Sequence, residues 1–421
     1  MTTPLHLAYR SSTALRASRE QKRALTALRT ISRISTALTR AFQSRAFLYA
    51  FCLFVILRLS LSLLGFWGVE TFPIAPTQRG PADTRDVPRI YNVEGYNILG
   101  IWQRWDALWY QKIAMEGYEH DPNSTAFFPL YPLLVRGVAW VLQGRYVLGA
   151  LLVSNIAYLV AMFLLYRLAS LDLSEDRVRR ALLYVSIYPT AFFLLCGYTE
   201  SLFLALTLGA FLAARRGRWW PCAALASLAA LTRGPGVLLV LPLAYEFWQQ
   251  RGIRITRENI PALGLLAIPA AFLLFQAYLR YVLGLPTTAQ INTEHWGIEW
   301  ALPWESLWAS VKLHVSGKAT FIDNFDLFSL VLFAVTTVVA WRRLRRSYAV
   351  YMAALLILYL TRLPAAFPLM SMSRFVLPLF PCFLVLARWG ENRYLNWALV
   401  IPSAILLSFF AFQFTHWEFV G

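Results

Sequence analysis

Two acids and two arginines stand where an apolar chain has least use for charge. Asp106 lies in IWQRWDALWYQKIAMEGY (101–118), among three tryptophans and two tyrosines. Glu200 lies in GYTES (197–201), between two apolar runs. Arg233 in LTRGPG (231–236) and Arg374 in PLMSMSRF (368–375) each stand at the end of such a run. A carboxylate shielded by indoles at a membrane boundary keeps enough basicity to take a proton from an attacking hydroxyl. Trp105, Trp109 and Tyr110 suit stacking on a sugar ring, or an interfacial aromatic belt. Guanidinium groups bind phosphate through paired, planar hydrogen bonds, so Arg233 and Arg374 ask for a local anion. His295 in QINTEHW (290–296) is a candidate for phosphate binding or proton transfer, and Gln290 for contact with a sugar or phosphate.

Each of these residues also has a plainer reading. Asp106 is then an ordinary solvated acid in an aromatic belt. Glu200 caps the following helix together with Thr199 and Ser201. The arginines snorkel to the interface or pair with Glu200 or Asp106. Read as a helix at about 100° per residue, Ile101, Trp102, Trp105, Leu108, Trp109 and Ile113 form one apolar arc with Asp106 at its edge. No Walker loop, zinc motif, nucleophile elbow or dinucleotide fingerprint is present.

The elements that must position these groups follow from composition. Of 421 residues, 58% are hydrophobic and only 14% charged, against about 25% charged in a soluble domain, so the chain reads as a polytopic membrane protein. The net charge of +17 comes mostly from arginines clustered between apolar runs, as cytoplasmic loops require, and no nucleic-acid recognition module appears. The four cysteines lie inside apolar runs and read as small core residues. Residues 1–45 carry a single acid, Glu20, and read as a basic cytoplasmic tail before a membrane domain at 46–421.

Charge also orders the spans. Residues 69–124 hold eight acids and five bases, the bias of an external segment. If 126–143 does not cross, the clusters EDRVRR, RRGR, QQRGIRITREN, WRRLRR and RWGENR all fall inside. That predicts an all-α bundle of about eleven spans, with a first external loop at 69–146 carrying interfacial helices and another external loop at 284–324. RWD, GYTES, LTRGPG, the 284–324 loop and PLMSMSRF then share the outer face.

With these motifs in order, the chain resembles a known family. RWDALWYQKIAMEGY followed by AFFPLYPLLVR, then SIYPTAFFLLCGYTESLFLALTLGAFLAARRGRWW, ALTRGPGVLLVLPL and SMSRFVLPLFP, is similar to the PIG-V-type mannosyltransferases of the GT-C class of membrane glycosyltransferases. The resemblance runs through nearly everything from residue 46 onward. It implies a polyprenyl- or dolichyl-phosphate sugar donor, typically mannose, used on the outer or lumenal side. It also implies an essential aspartate in a large first external loop, matched by Asp106, and inversion with one base and no protein nucleophile. Glu200 resembles the second acidic position, which binds metal in some relatives. Here it stands in Thr-Glu-Ser without a second acid, so the expectation is no cofactor, with arginines stabilising the phosphate leaving group.

The partners implied are the bilayer, the lipid-linked donor and a lipid, glycan or protein acceptor. Compact loops favour a prokaryotic plasma membrane; in a eukaryote the place would be the endoplasmic reticulum. A transporter of lipid-linked sugars and a non-catalytic scaffold would share composition and topology. Against transport, the candidate groups collect at one face, not at a midplane site between repeats.

Overall fold

In lipid a backbone has only its own hydrogen bonds to satisfy it, so long apolar runs become helices. The computed structural model describes residues 45–72, 98–252, 257–364 and 367–420. The basic tail and residues 73–97 of the first external loop therefore lie outside the described residues. Residues 1–51 and 52–421 form separate units, and of the first only the beginning of a helix at Arg45 is described.

The helices and strands, in chain order, are α1 (Arg45–Thr71), α2 (Asp106–Glu116), α3 (Leu130–Val141), α4 (Tyr146–Ala169) and α5 (Glu175–Ile187). There follow α6 (Glu200–Arg215), α7 (Trp219–Thr232), α8 (Val240–Arg251), α9 (Ala267–Ala277), α10 (Thr288–Glu294), β1 (Ile298–Trp300) and α11 (Pro303–Val315). The last are α12 (Phe321–Arg343), α13 (Arg346–Leu360), β2 (Arg362–Pro364), α14 (Met372–Phe375), α15 (Phe380–Trp389) and α16 (Arg393–Thr415).

Five helical stretches among the described residues are long and apolar enough to cross a bilayer: Arg45–Thr71, Tyr146–Ala169, Ile260–Val282, Phe321–Arg343 and Arg393–Thr415. The protein is a multi-pass integral membrane protein. The remaining apolar runs are divided among shorter helices, and proline accounts for much of the division. α5 stops at Ile187, two residues before Pro189. Gly234–Leu239 is a 3-10 turn begun by Gly-Pro-Gly, and α15 starts only after Pro378. The run at 126–143 yields α3, whose 12 residues rise about 18 Å, short of the ~30 Å hydrocarbon core. α3 buries Tyr131, Val135 and Ala139 and exposes Leu133 and Trp140, so it is amphipathic.

Small residues bring the central helices together. α6 packs between α4 and α7, and α7 buries Cys222, Ala223, Ala226, Ala229 and Ala230. Small side chains let backbones approach where lipid supplies no hydrophobic drive. Cys196, Cys222 and Cys382 are buried as expected of core residues, whereas Cys52 is exposed; none is in a disulfide.

The all-α expectation needs one correction. β1 and β2 form an antiparallel ribbon pairing Ile298 with Pro364, Glu299 with Leu363 and Trp300 with Arg362. It clips the 284–324 segment to the chain leaving α13.

Candidate active site

The approach to Asp106 is a bend, not a helix. Ile101 and Trp102 are buried in a 3-10 turn, and α2 begins only at Asp106. The single helix read across 101–118 is therefore corrected. The apolar arc is two packing surfaces: one set buried before the bend, the other, Leu108, Trp109 and Ile113, buried after it. Between them Arg104 is fully buried. It donates to the carbonyls of Gly100 (2.5 Å), Gln103 (3.3 Å) and Thr415 (3.3 Å), and its guanidinium lies 4.5 Å from the Trp417 ring.

Tyr198 OH donates to the Arg104 carbonyl at 3.0 Å. So held, Trp105 adopts φ 54°, a left-handed conformation that costs a bulky residue about 1–3 kcal/mol. Its ring meets Trp417 and Phe419 edge-on. The bend sets Asp106 at the N-terminus of α2, where a carboxylate is favoured, with 26% of its side chain exposed.

GYTES packs directly on this bend. A Cβ at Gly197 would fall 1.9 Å from the end of the Gln103 side chain, so any larger residue would displace that amide. Glu200, 1% exposed, is the first residue of α6. The shared capping role expected of Thr199 and Ser201 is not what their side chains do. The Thr199 hydroxyl meets Tyr110 OH at 3.3 Å, and Ser201 donates to the Leu194 carbonyl at 2.5 Å. Glu200 Oε1 accepts from Arg233, while Oε2 is buried without a hydrogen-bond partner among the described residues. Gly236 lets the turn after Arg233 fold back on α7: a Cβ there would lie 2.6 Å from the Ala229 carbonyl.

Arg374 arrives from the other end of the chain, on α14. Ser371 precedes it with φ 65°, and the Ser373 backbone N–H donates to Asp326 at 2.7 Å. Thr190 donates to the Ser373 carbonyl at 2.9 Å. Arg374 Nη1 lies 2.9 Å from Asp106 Oδ2, and Nε lies 3.6 Å from Glu200 Oε1. One guanidinium thus stands between the two acids. Burial works against its charge, but Asp106 and Glu200 more than offset this and hold Arg374 above the usual guanidinium range. Arg233 follows the same pattern, opposed by burial and held up by Glu200.

A third arginine, Arg362, joins them. The guanidinium carbons of Arg374, Arg362 and Arg233 lie 5.0, 5.4 and 5.5 Å from one ring, that of Phe375. Among the described residues Arg362 has no ion pair, and burial, reinforced by Arg233 and Arg374, pushes it down to about 10. Sequence reasoning misses Arg362, although it obeys the rule that singles out Arg233 and Arg374: an arginine at the outer end of an apolar run, in TRLP.

The remaining candidates divide. Trp109 is buried, stacked on Phe127 (5.6 Å) with Trp296 edge-on (6.3 Å), and His295 meets Trp296 edge-on at 5.0 Å. His295 is thereby linked through aromatic rings to the helix bearing Asp106. Tyr110 is buried beneath Asp106 against Thr199. Gln290 is exposed and spent on capping α10, its Oε1 accepting from Thr287 N (2.9 Å) and Oγ1 (3.0 Å); among the described residues no hydrogen bond joins it to the acids or arginines. Among the described residues no three His, Cys, Asp or Glu side chains gather as a metal cluster.

The profile of the Mannosyltransferase (PIG-V) family matches residues 85–305, just over half the chain and the part that holds Asp106, Glu200 and Arg233. The chain belongs to this family. The PIG-V profile ends before Arg362 and Arg374, so the second half of the cluster comes from outside the matched stretch. GPI alpha-1,6-mannosyltransferase 2 of Mus musculus is 37% identical over 157 residues, which is 35% of this chain and 31% of that protein. GPI mannosyltransferase 2 of Schizosaccharomyces pombe is 28% identical over 139 residues, covering 32% of this chain and 30% of its own. The chain thus matches about a third of the length of these PIG-V relatives. The crystal structure of ArnT from Cupriavidus metallidurans bound to undecaprenyl phosphate aligns with 87% of this chain and 76% of its own, at TM-score 0.48 and 15% identity.

Proposed function

We propose that the protein is a membrane glycosyltransferase that moves a sugar, most simply mannose, from a polyprenyl-phosphate donor to an acceptor hydroxyl on the extracytoplasmic face. The observation that carries this reading is the meeting of Asp106 with Arg374 at 2.9 Å, a part-exposed carboxylate against a buried guanidinium. Asp106 faces the side from which an acceptor comes and takes its proton as the general base. The arginine cluster behind it receives the phosphate that leaves. Attack from one side and departure on the other inverts the anomeric carbon. Membership of a mannosyltransferase family supports the transfer, and the isoprenoid of such a donor suits a multi-pass protein. A GT-C-type bundle of about eleven spans, in a prokaryotic plasma membrane, completes the reading.

The donor acts without a divalent ion in this scheme. Asp106 and Glu200 are already neutralised by guanidinium groups, which makes them poor oxygen ligands for a hard cation. The test is transfer by the purified full chain in nanodiscs, supplied with polyprenyl-phosphate-mannose and a panel of acceptors, with products read by mass spectrometry. Mannosylated product, unchanged by EDTA, is expected. Efficient use of GDP-mannose in place of the lipid donor would sink the reading, and EDTA inhibition reversed by manganese would sink its metal-free part.

A further inference from the structure

Counting charges around Phe375 raises a question that the donor reading leaves open. Three guanidinium groups share one aromatic ring, at 5.0, 5.4 and 5.5 Å, and among the described residues two carboxylates, Asp106 and Glu200, pair with them. One positive charge is left over, and it sits on Arg362, the one of the three without an ion pair among the described residues. Arg362 is half-buried, and an unmatched charge partly withdrawn from water is expensive unless a counter-ion arrives.

We infer that Arg362 is the resting anchor for the donor's phosphate, and that Arg374 passes from Asp106 to the departing phosphate as Asp106 takes the acceptor's proton. The inference rests on the polyprenyl-phosphate donor proposed above.

The arithmetic of the step supports it. A polyprenyl-phosphate sugar is a phosphodiester with one negative charge, so donor, two carboxylates and three guanidiniums sum to zero. In transfer, the acceptor oxygen bonds to the anomeric carbon and the bond from that carbon to the phosphate oxygen breaks, leaving its electron pair on phosphate. The acceptor proton goes to Asp106. The phosphate is now a monoester dianion, Asp106 is neutral, Glu200 is still an anion, and the sum is again zero. No ion need enter or leave the buried site. What moves is one negative charge, from Asp106 to the phosphate.

The geometry gives Arg374 the means to follow it. Its backbone is fixed by Asp326 and Thr190 through Ser373, while its guanidinium contacts Asp106 at 2.9 Å and lies over the same ring as Arg362. Losing the Asp106 charge removes the nearest partner of Arg374 and frees its Nη1 donor for phosphate. Arg233 is unsuited to this exchange. Glu200 is 1% exposed and depends on it, so withdrawing Arg233 would strand a buried carboxylate.

The test measures lipid binding by the full chain in nanodiscs, without acceptor, for two probes: polyprenyl-phosphate-mannose and polyprenyl phosphate. Arg362→Gln should weaken both by at least ~10-fold, the scale of a hydrogen-bonded charge, with Arg362→Lys intermediate. Asp106→Asn should tighten polyprenyl phosphate several-fold more than it tightens the mannosylated lipid, because Arg374 is free from the start and only the monoester dianion carries the second charge that it matches. A purely structural role for Asp106 would not split the two probes in this way. Unchanged binding by Arg362→Gln, or by Arg362→Lys if the first variant fails to fold, overturns the anchor. No gain in polyprenyl phosphate binding by Asp106→Asn overturns the exchange. If the unaltered chain binds neither lipid, the donor reading itself falls.

Discussion

Two buried ionic clusters stand at opposite ends of the same two helices, and they are built to different rules. Before α8 and after α13 lie Arg233 and Arg362, part of the cluster with Asp106, Glu200 and Arg374. At the other ends lies Glu246, fully buried, which accepts from Arg345, Ser347 and Gln250 at 2.6–2.8 Å through both carboxylate oxygens. That second cluster is complete: charges match and no carboxylate oxygen is idle. The first is not. Among the described residues its cations outnumber its acids, and Glu200 Oε2 has no hydrogen-bond partner. A closed cluster holds helices together, and an open one waits for something. Buried charge alone therefore does not mark a functional site; in the proposed reading the unmatched charge does.

The comparison can be tested at both ends. The largest effect should come from the closed cluster, where Glu246→Gln leaves Arg345 without its anion. Breaking a buried pair costs about 3–5 kcal/mol, and Arg345, 31% exposed, keeps some water, so the loss should fall near 3 kcal/mol. Thermal unfolding in nanodiscs reads it, and a variant as stable as the parent would show that the cluster is not cement. Next is Asp106→Asn, which should lower transfer by ~10², about 2.7 kcal/mol in the barrier, with little change in stability. Near-normal turnover would remove Asp106 from the chemistry.

The smallest effect has the opposite sign. Arg362→Met should stabilise the unliganded chain, by on the order of 1 kcal/mol, since a well-packed apolar side chain often outperforms an unpaired charge that folding has partly buried. Arg362 sits at about 10, below the ordinary guanidinium value, so its charged form is disfavoured by folding. That penalty is full below about 10 and fades as pH rises through it. The advantage of Arg362→Met should accordingly shrink as melting is repeated at higher pH. A destabilised variant at neutral pH would mean that Arg362 is already paired.

Much of the site is legible in the amino-acid sequence. Asp106, Glu200, Arg233 and Arg374 stand out because charge at the end of an apolar run is costly without a partner, and the partners turn out to be one another. Gln290 is legible too, in a different sense: Thr287 and Gln290 have the spacing of a capping box, which is the role they fill. The bend at Trp105 is not legible. A period of 3.6 identifies a face but not the neighbour it meets, and Ile101 and Leu108 look like one face although a left-handed residue divides them. The division of apolar runs into short helices is half written in prolines 189, 235 and 378. The ribbon of β1 and β2 has no signal, since three residues carry too little pattern to compete with the helices around them.

That ribbon gives the chain a clock. Three residue pairs and the Ala301 N–H bonded to the Thr361 carbonyl at 3.0 Å are a small structure, and an isolated two-stranded pairing is marginal on its own. Its amides should therefore exchange with deuterated water sooner than those of α11 or α13, which pack against it. Because the strand bearing Arg362 is one half of it, anything that immobilises that side chain also slows the opening of Trp300 and Ala301, far away along the sequence. Exchange at those two amides would then time the occupancy of the site without any need to watch the reaction.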